Sequence, residues 1–269
     1  MLTKRLGILG AIAVLPALAQ VSSAPTSQDA TKQVAARWHA PIQGRVEHGD
    51  GTVTSGNWSG YAVTGSDFTK AEASWIVPTV TCSSETQYAV FWVGLDGYSS
   101  STVEQTGTET VCSGGKPTYS AWYEFCCTEP IITITTMTVE PGDKMSASIV
   151  YTSSKEAFTV KITDERTGQS FTKSKKVPGA ARSSAEWIAE APSSGTILPL
   201  ADFGTVLFGE DSTAITGTCY ATDSSTHGPI GAFSTTIEEI TMEKNSVMEA
   251  IPSGLSSDGT SFSVTWAAP

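Results

Sequence analysis

Apolar and polar residues alternate along most of this chain in short runs. Phe158, Val160 and Ile162 fall on every second position, as do Met145, Ala147, Ile149 and Tyr151, and Phe262, Val264 and Trp266. That is the repeat of a strand with one buried face, because successive side chains of a strand point to opposite sides. Turn signals separate the runs: "EPGD" from Glu140, "ERTGQ" from Glu165 and "SSDGT" from Ser256. No window carries a 3.6-residue apolar stripe longer than about two turns. The pattern predicts an all-β domain, a two-sheet antiparallel β-sandwich, with no internal repeat and no second domain.

The same parity assigns faces within the runs richest in aromatic and acidic residues. In "FWVGLDG", Phe91, Val93 and Leu95 take the core side and Trp92, Gly94 and Asp96 the other. In "AWYEF", Trp122 and Glu124 stand opposite Tyr123, and in "SAEWIAEA", Glu186, Ile188 and Glu190 stand opposite Trp187. Several strands thus place a tryptophan or a carboxylate on a side that need not be core, as a concave substrate groove on a sheet requires.

The first 24 residues depart from this pattern. Lys4 and Arg5 precede the apolar run "LGILGAIAVLPALA", with small residues at Ala19 and Ala24, which reads as a secretory signal peptide and predicts a secreted, extracellular protein. Residues 25–52 are polar, lack periodicity and carry His39 and His48, two of the three histidines; they read as a pro-segment. Taking away the first 52 of 269 residues leaves 217 for the sandwich domain, residues 53–269. Residues 1–52 hold five basic and three acidic groups of the chain's 16 and 27, so the remainder has 11 against 24, a formal charge of −13. That balance argues against nucleic acid or an anionic membrane as partner and suits work in acid. Five cysteines in an exported chain imply disulfides with one thiol over. Cys82 and Cys112 are expected to pair around the "FWVGLDG" region. Cys126 and Cys127 could bond to each other, pair with Cys219, or stay partly free. No spacing suits zinc, and no cofactor is expected.

Histidine-based hydrolysis has little to work with. Beyond residue 52 the only histidine is His227, in the turn-like "STHGPIG", and the chain has no G-x-S-x-G, H-E-x-x-H or D-[ST]-G run. Carboxylate chemistry remains. A glutamate can activate water as a general base if it is ionised at the working pH, and an amide side chain can donate to a developing oxyanion without changing charge. Gln105 in "VEQTG" is such an amide. Its neighbour Glu104 points to the opposite face and is not expected to be catalytic.

With these residues in view, the chain resembles the eqolisins, the glutamic peptidases, from about Asn57 to Trp266. "NWSGYAV", "FWVGLDG", "VEQTG", "AWYE", "SAEWI" and "FGTVLF" occur in the family's order. The resemblance implies a Gln–Glu dyad at Gln105 and Glu186 that cleaves peptide bonds by direct attack of water, and an inhibitory pro-segment removed in acid. It implies further that Trp58, Trp92, Asp96 and Glu124 line the groove or support the dyad. Protein or peptide substrates and the chain's own pro-segment are the expected partners of a monomer. One departure follows "WYE": relatives commonly continue with an aromatic, a tyrosine and a proline, whereas this chain has Phe125, Cys126 and Cys127. Two rival readings use the same residues. A retaining glycosidase would pair Glu124 with Glu186, and a carbohydrate-binding module would use Trp58 and Trp92 as stacking platforms.

Overall fold

A computed structural model of the chain describes residues 39–126, 129–215, 219–234 and 236–269. The expected signal peptide, the pro-segment as far as residue 38 and Cys127 lie outside them. The described residues form eighteen strands. In chain order these are β1 (Val46–Glu47), β2 (Thr52–Ser55), β3 (Trp58–Thr64), β4 (Lys70–Ile76), β5 (Gln87–Leu95), β6 (Val103–Ser113), β7 (Lys116–Cys126), β8 (Ile132–Thr133) and β9 (Lys144–Thr152). They continue with β10 (Ala157–Asp164), β11 (Ser170–Lys175), β12 (Ser184–Glu190), β13 (Thr205–Phe208), β14 (Tyr220–Thr222), β15 (His227–Pro229), β16 (Ile237–Lys244), β17 (Val247–Pro252) and β18 (Phe262–Trp266).

Following the hydrogen bonds, one layer runs β8–β7–β6–β5–β12–β3–β16 and the other runs β13–β4–β9–β10–β11. β17 and β18 carry the ladder from β16 round to β13, so the sandwich is one sheet doubled over. Among the described residues the named strands pair antiparallel except for β2 beside β16, and an isolated parallel bridge joins Tyr88 to Leu200. The two-sheet antiparallel sandwich expected from the alternating pattern is the architecture found.

Between the layers lie Trp75, Phe91, Val93, Leu95, Phe125, Trp187 and Phe208, all buried. Two indoles cross from layer to layer with their N–H groups satisfied. Trp187 on β12 donates to the Glu72 carbonyl at 2.8 Å, and Trp75 on β4 donates to Thr108 Oγ1 at 2.9 Å. The opposite face of the first layer buries a second cluster that includes Val53, Trp58, Val90, Trp92, Trp122 and Ile188. The parity read from "FWVGLDG", "AWYEF" and "SAEWIAEA" therefore holds, up to Leu95. There β5 ends, and Asp96 turns with φ 68°.

Cys82 and Cys112 form the expected disulfide, tying the approach to β5 to the end of β6. Cys126 does not carry a free thiol, and Cys219 is a buried free cysteine, which removes a bond between those two. No helix among the described residues is long and apolar enough to cross a membrane.

Candidate active site

The site follows from register. Glu186 on β12 faces Gly94 on β5, Gly94 faces Gln105 on β6, and Gln105 faces Glu124 on β7. Directly paired residues of a ladder share a face, so Glu186, Gln105 and Glu124 form one row with a gap at Gly94. The gap is required: a Cβ there would lie 2.7 Å from Trp92 Cζ3 and 3.3 Å from Gln105 Cβ. The next row on the same face is Ile188, Trp92, Gly107 and Trp122. Gly107 has the same function between its two indoles, since a Cβ there would meet the Phe91 carbonyl at 2.1 Å and Trp92 Cβ at 2.7 Å. Beyond it come Trp58, Glu190, Val90 and Glu109. Trp58 and Trp92 pack edge to face with centroids 5.0 Å apart.

A peptide lies across these rows: the chain's own residues from His39 on. Gln105 Nε2 donates to the His39 carbonyl at 2.9 Å and to Glu124 Oε2 at 3.1 Å, while the His39 N–H donates to the same carboxylate oxygen at 3.2 Å. A carbonyl only accepts, so the contact with His39 fixes which end of the Gln105 amide faces the peptide. The His39 ring meets the Trp122 ring edge-on at 3.8 Å. Trp58 Nε1 donates to the Ala40 carbonyl at 3.2 Å, and Asn57 Nδ2 to the Pro41 carbonyl at 3.3 Å. Further along, the Gln43 N–H donates to Asn57 Oδ1 at 2.7 Å, Arg45 Nη1 donates to the Tyr98 carbonyl at 2.8 Å, and β1 pairs with β2.

Residues 56–266 match the model of the peptidase A4 family. The chain belongs to the peptidase A4 family. The resemblance to the eqolisins read from the motifs is thereby borne out. The chain is 31% identical over 178 residues to aspergillopepsin-2 of Aspergillus niger, covering 57% of this chain and 62% of that one. It is 32% identical over 150 residues to scytalidopepsin B of Scytalidium lignicola, covering 54% and 55%. It thus spans somewhat over half the length of the curated relatives it matches. Its fold is similar to that of the crystal structure of scytalido-glutamic peptidase with a transition-state analogue inhibitor, with a TM-score of 0.65 at 24% identity, covering 79% of this chain and 98% of that one.

Within this peptidase A4 chain the six residues expected at the site are all buried, but they do different things. Gln105, Glu124 and Trp58 touch the peptide segment directly. Trp92 packs on Trp58 and gives its indole N–H to Glu190 at 2.8 Å. Asp96, just past the end of β5, has φ 68°; its carboxylate accepts the N–H groups of Arg182 at 2.7 Å and Ser183 at 2.8 Å, and so holds the chain entering β12. Glu186 Oε1 and Oε2 and Gln105 Oε1 are buried and close no hydrogen bond of full geometry. Burial pushes the Glu186 carboxyl well above the ordinary range; the Ser184 hydroxyl opposes this, and the charges of Asp96 and Glu104 add to it. Glu104 lies on the opposite face, beside Leu95 and Phe125, where burial also holds it well above its usual value. Sequence reasoning assigned no role to Trp122 and Glu190. Their parity was readable; the contacts of Trp122 with His39 and of Glu190 with Trp92 were not.

Proposed function

We propose that this chain is a secreted, acid-active endopeptidase that hydrolyses peptide bonds with a Gln105–Glu186 dyad. The observation that carries the reading is the Gln105 amide donating to a peptide carbonyl at 2.9 Å, one glycine away from Glu186 in the same row. Ionised Glu186 takes a proton from a water seated between it and Gln105 Oε1. The water oxygen adds to the carbonyl carbon, and Gln105 Nε2 stabilises the oxyanion, a contribution of about 3 kcal/mol for one good donor. Glu124 orients the amide by accepting its second hydrogen. Family membership and the peptidases among its relatives support this reaction class.

The same reading makes the pro-segment an intramolecular inhibitor, because residues 39–45 occupy the surface a substrate would use. In that closed form burial raises the Glu186 carboxyl well above its usual value, so the base is neutral in acid. Departure of the segment admits water and returns Glu186 towards the ordinary glutamate range, where it ionises in mild acid. Latency and catalysis are then one equilibrium of exposure.

A retaining glycosidase pairing Glu124 with Glu186 is less favoured. The two stand three strand spacings apart, about 14 Å at the backbone, with Gln105 between them, whereas such a pair needs carboxyls about 5–5.5 Å apart. Acid-activated protein should cleave denatured casein at about pH 3–4 and leave polysaccharides intact, and Gln105→Ala or Glu186→Gln should each lower turnover by at least about a hundredfold. Undiminished casein cleavage by either variant would refute the dyad.

A further inference from the structure

The segment across the groove and the strand it leads into are fastened differently. Residues 39–43 are buried or partly buried in the groove, whereas residues 44–52 are exposed. Within the exposed run, β1 makes two residue pairs with β2, Val46 with Thr54 and Glu47 with Val53. Residues 48–51 turn between the two strands, with φ 80° at Gly49 and 85° at Gly51. Nothing lies within 4 Å of the place a Cβ on Gly49 would take, so the tip stands clear of the body. Exposed tips of small and polar residues are where folded chains are cut most readily. β2, by contrast, is fixed. Val53 is buried, Thr52 and Val53 pair with Glu239 and Ile240 of β16, and the Gly51 carbonyl accepts the Glu239 N–H at 2.8 Å.

The length of the tether decides which groove can reach this turn. From β2 the sheet runs through β16, β3 and β12 to β5, where Gly94 leaves the gap between Glu186 and Gln105. Four strand spacings put that gap about 19 Å from β2. The His48–Gly49 bond begins four residues before Thr52, so it can travel at most about 14 Å from that anchor, and every later bond of the turn travels less. His39, 13 positions before Thr52, has the length to reach Gln105 and does so. No bond of the turn reaches the dyad of its own chain while β2 keeps its place.

We propose that the turn of residues 48–51 is the processing site at which the segment is severed, and that a second copy of this chain severs it. This rests on the peptidase reading above, with residues 39–45 as the occupant of the groove. The cutting copy is one whose own segment has left. In it the water oxygen bonds to a carbonyl carbon of the turn, the C–N bond breaks, and the water's proton leaves with the nitrogen by way of Glu186, giving an acid and an amine. The cut acts on inhibition through concentration. A segment joined to its groove by a short tether is present at an effective concentration of about millimolar. Once severed it is lost on dilution, and the freed groove cuts further copies. Activation is then self-propagating, at a rate set by encounters between chains.

The test has two parts. Full-length Glu186→Gln, with the dyad disabled, is mixed in acid with a trace of activated wild type and followed by mass spectrometry. The expected result is a new N-terminus within residues 49–52, absent when the variant is kept alone. Wild type is then acidified at increasing dilution. Encounter between chains predicts a sigmoidal time course whose lag lengthens about tenfold on tenfold dilution and shortens on seeding with activated protein. Inserting about twelve glycine and serine residues between Asp50 and Gly51 extends the tether past the gap and should make the lag independent of concentration. A wild-type lag that does not change with dilution, or a first cut outside the turn, overturns the proposal. Should Glu186→Gln fail to fold, the dilution series decides by itself. Wild type that digests casein but leaves the turn of Glu186→Gln intact also overturns the proposal, whereas wild type that cuts neither sinks the peptidase reading itself.

Discussion

Gly94 shows how much the site depends on what a residue lacks. Glu186 and Gln105 are separated by one strand, and their side chains can share a water because nothing stands on the pleat between them. Gly94→Ala would push a methyl group to 2.7 Å from the Trp92 ring and 3.3 Å from Gln105 Cβ. We expect a loss of about 1–3 kcal/mol of stability from overpacking and a larger effect on kcat than on KM, measured by denaturant unfolding and by peptide kinetics. A mutant with lower stability and wild-type kcat would mean that the gap does not serve the dyad. Glu104 is the contrasting case. It is beside Gln105 in the chain, but strand parity places it among Leu95 and Phe125, so Glu104→Gln should leave the peptide reaction far less affected than Glu186→Gln does.

At the level of elements, two joints bear on the proposed dyad. The first is Asp96, which ends β5 and accepts two N–H groups of the chain entering β12. Asp96→Ala leaves those donors without an acceptor, a cost of about 1–3 kcal/mol, and loosens the strand that carries Glu186. The expected outcome is a lower thermal midpoint together with a lower kcat, both largely restored in Asp96→Asn, which keeps one acceptor oxygen. The second joint is the segment after Ala40, held by Asn57, by Trp58 and by Arg45 on the Tyr98 carbonyl. Arg45 also lies over the Tyr98 ring at 4.5 Å. Arg45→Ala should weaken this hold without touching the dyad, so that activity appears faster after acidification in a time course of casein cleavage. An unchanged lag would show that the segment is retained by its other contacts alone.

The molecule as a whole should be an acid-stable protein in the form described. Glu104, Glu124, Glu186 and Glu190 are each raised well above the ordinary value of 4.5, with burial the largest cause at every one. A carboxyl raised on folding binds its proton more tightly in the folded chain than in the unfolded one. Its contribution to stability is therefore complete below about pH 4.5 and is lost as pH rises through its raised folded value. The net negative charge of the chain acts in the same direction, since protonation relieves repulsion. The Glu186→Gln protein, which keeps its segment, should have a higher thermal midpoint at pH 4 than at pH 8; the reverse order would contradict the protonated state of the remaining three. The Cys82–Cys112 bond closes a separation of 30 residues, and its removal by paired serine substitution should cost about 3 kcal/mol in denaturant unfolding under oxidising conditions.

Much of this is legible in the sequence. Period-two runs identify strands because a strand exposes alternate side chains to one environment. The same parity separates Trp92 from Phe91, Glu124 from Tyr123 and Gln105 from Glu104. The motifs locate Gln105 and Glu186, 81 positions apart in the chain. Parity reaches only to Leu95, where β5 ends, because the positive φ of Asp96 breaks the alternation of an extended strand. It could say nothing of His39 and Ala40, which belong to a polar stretch without period and are placed by hydrogen bonds to Gln105, Glu124 and Trp58. Glu190 was visible as a groove-facing carboxylate, but its bond to Trp92 depends on the pairing of β12 with β5. Local periodicity alone determined which side of each strand faces the groove, since that depends only on backbone geometry. Only the tertiary structure decided which strands are neighbours and what lies across them, because register between distant segments is set by packing that no single segment contains.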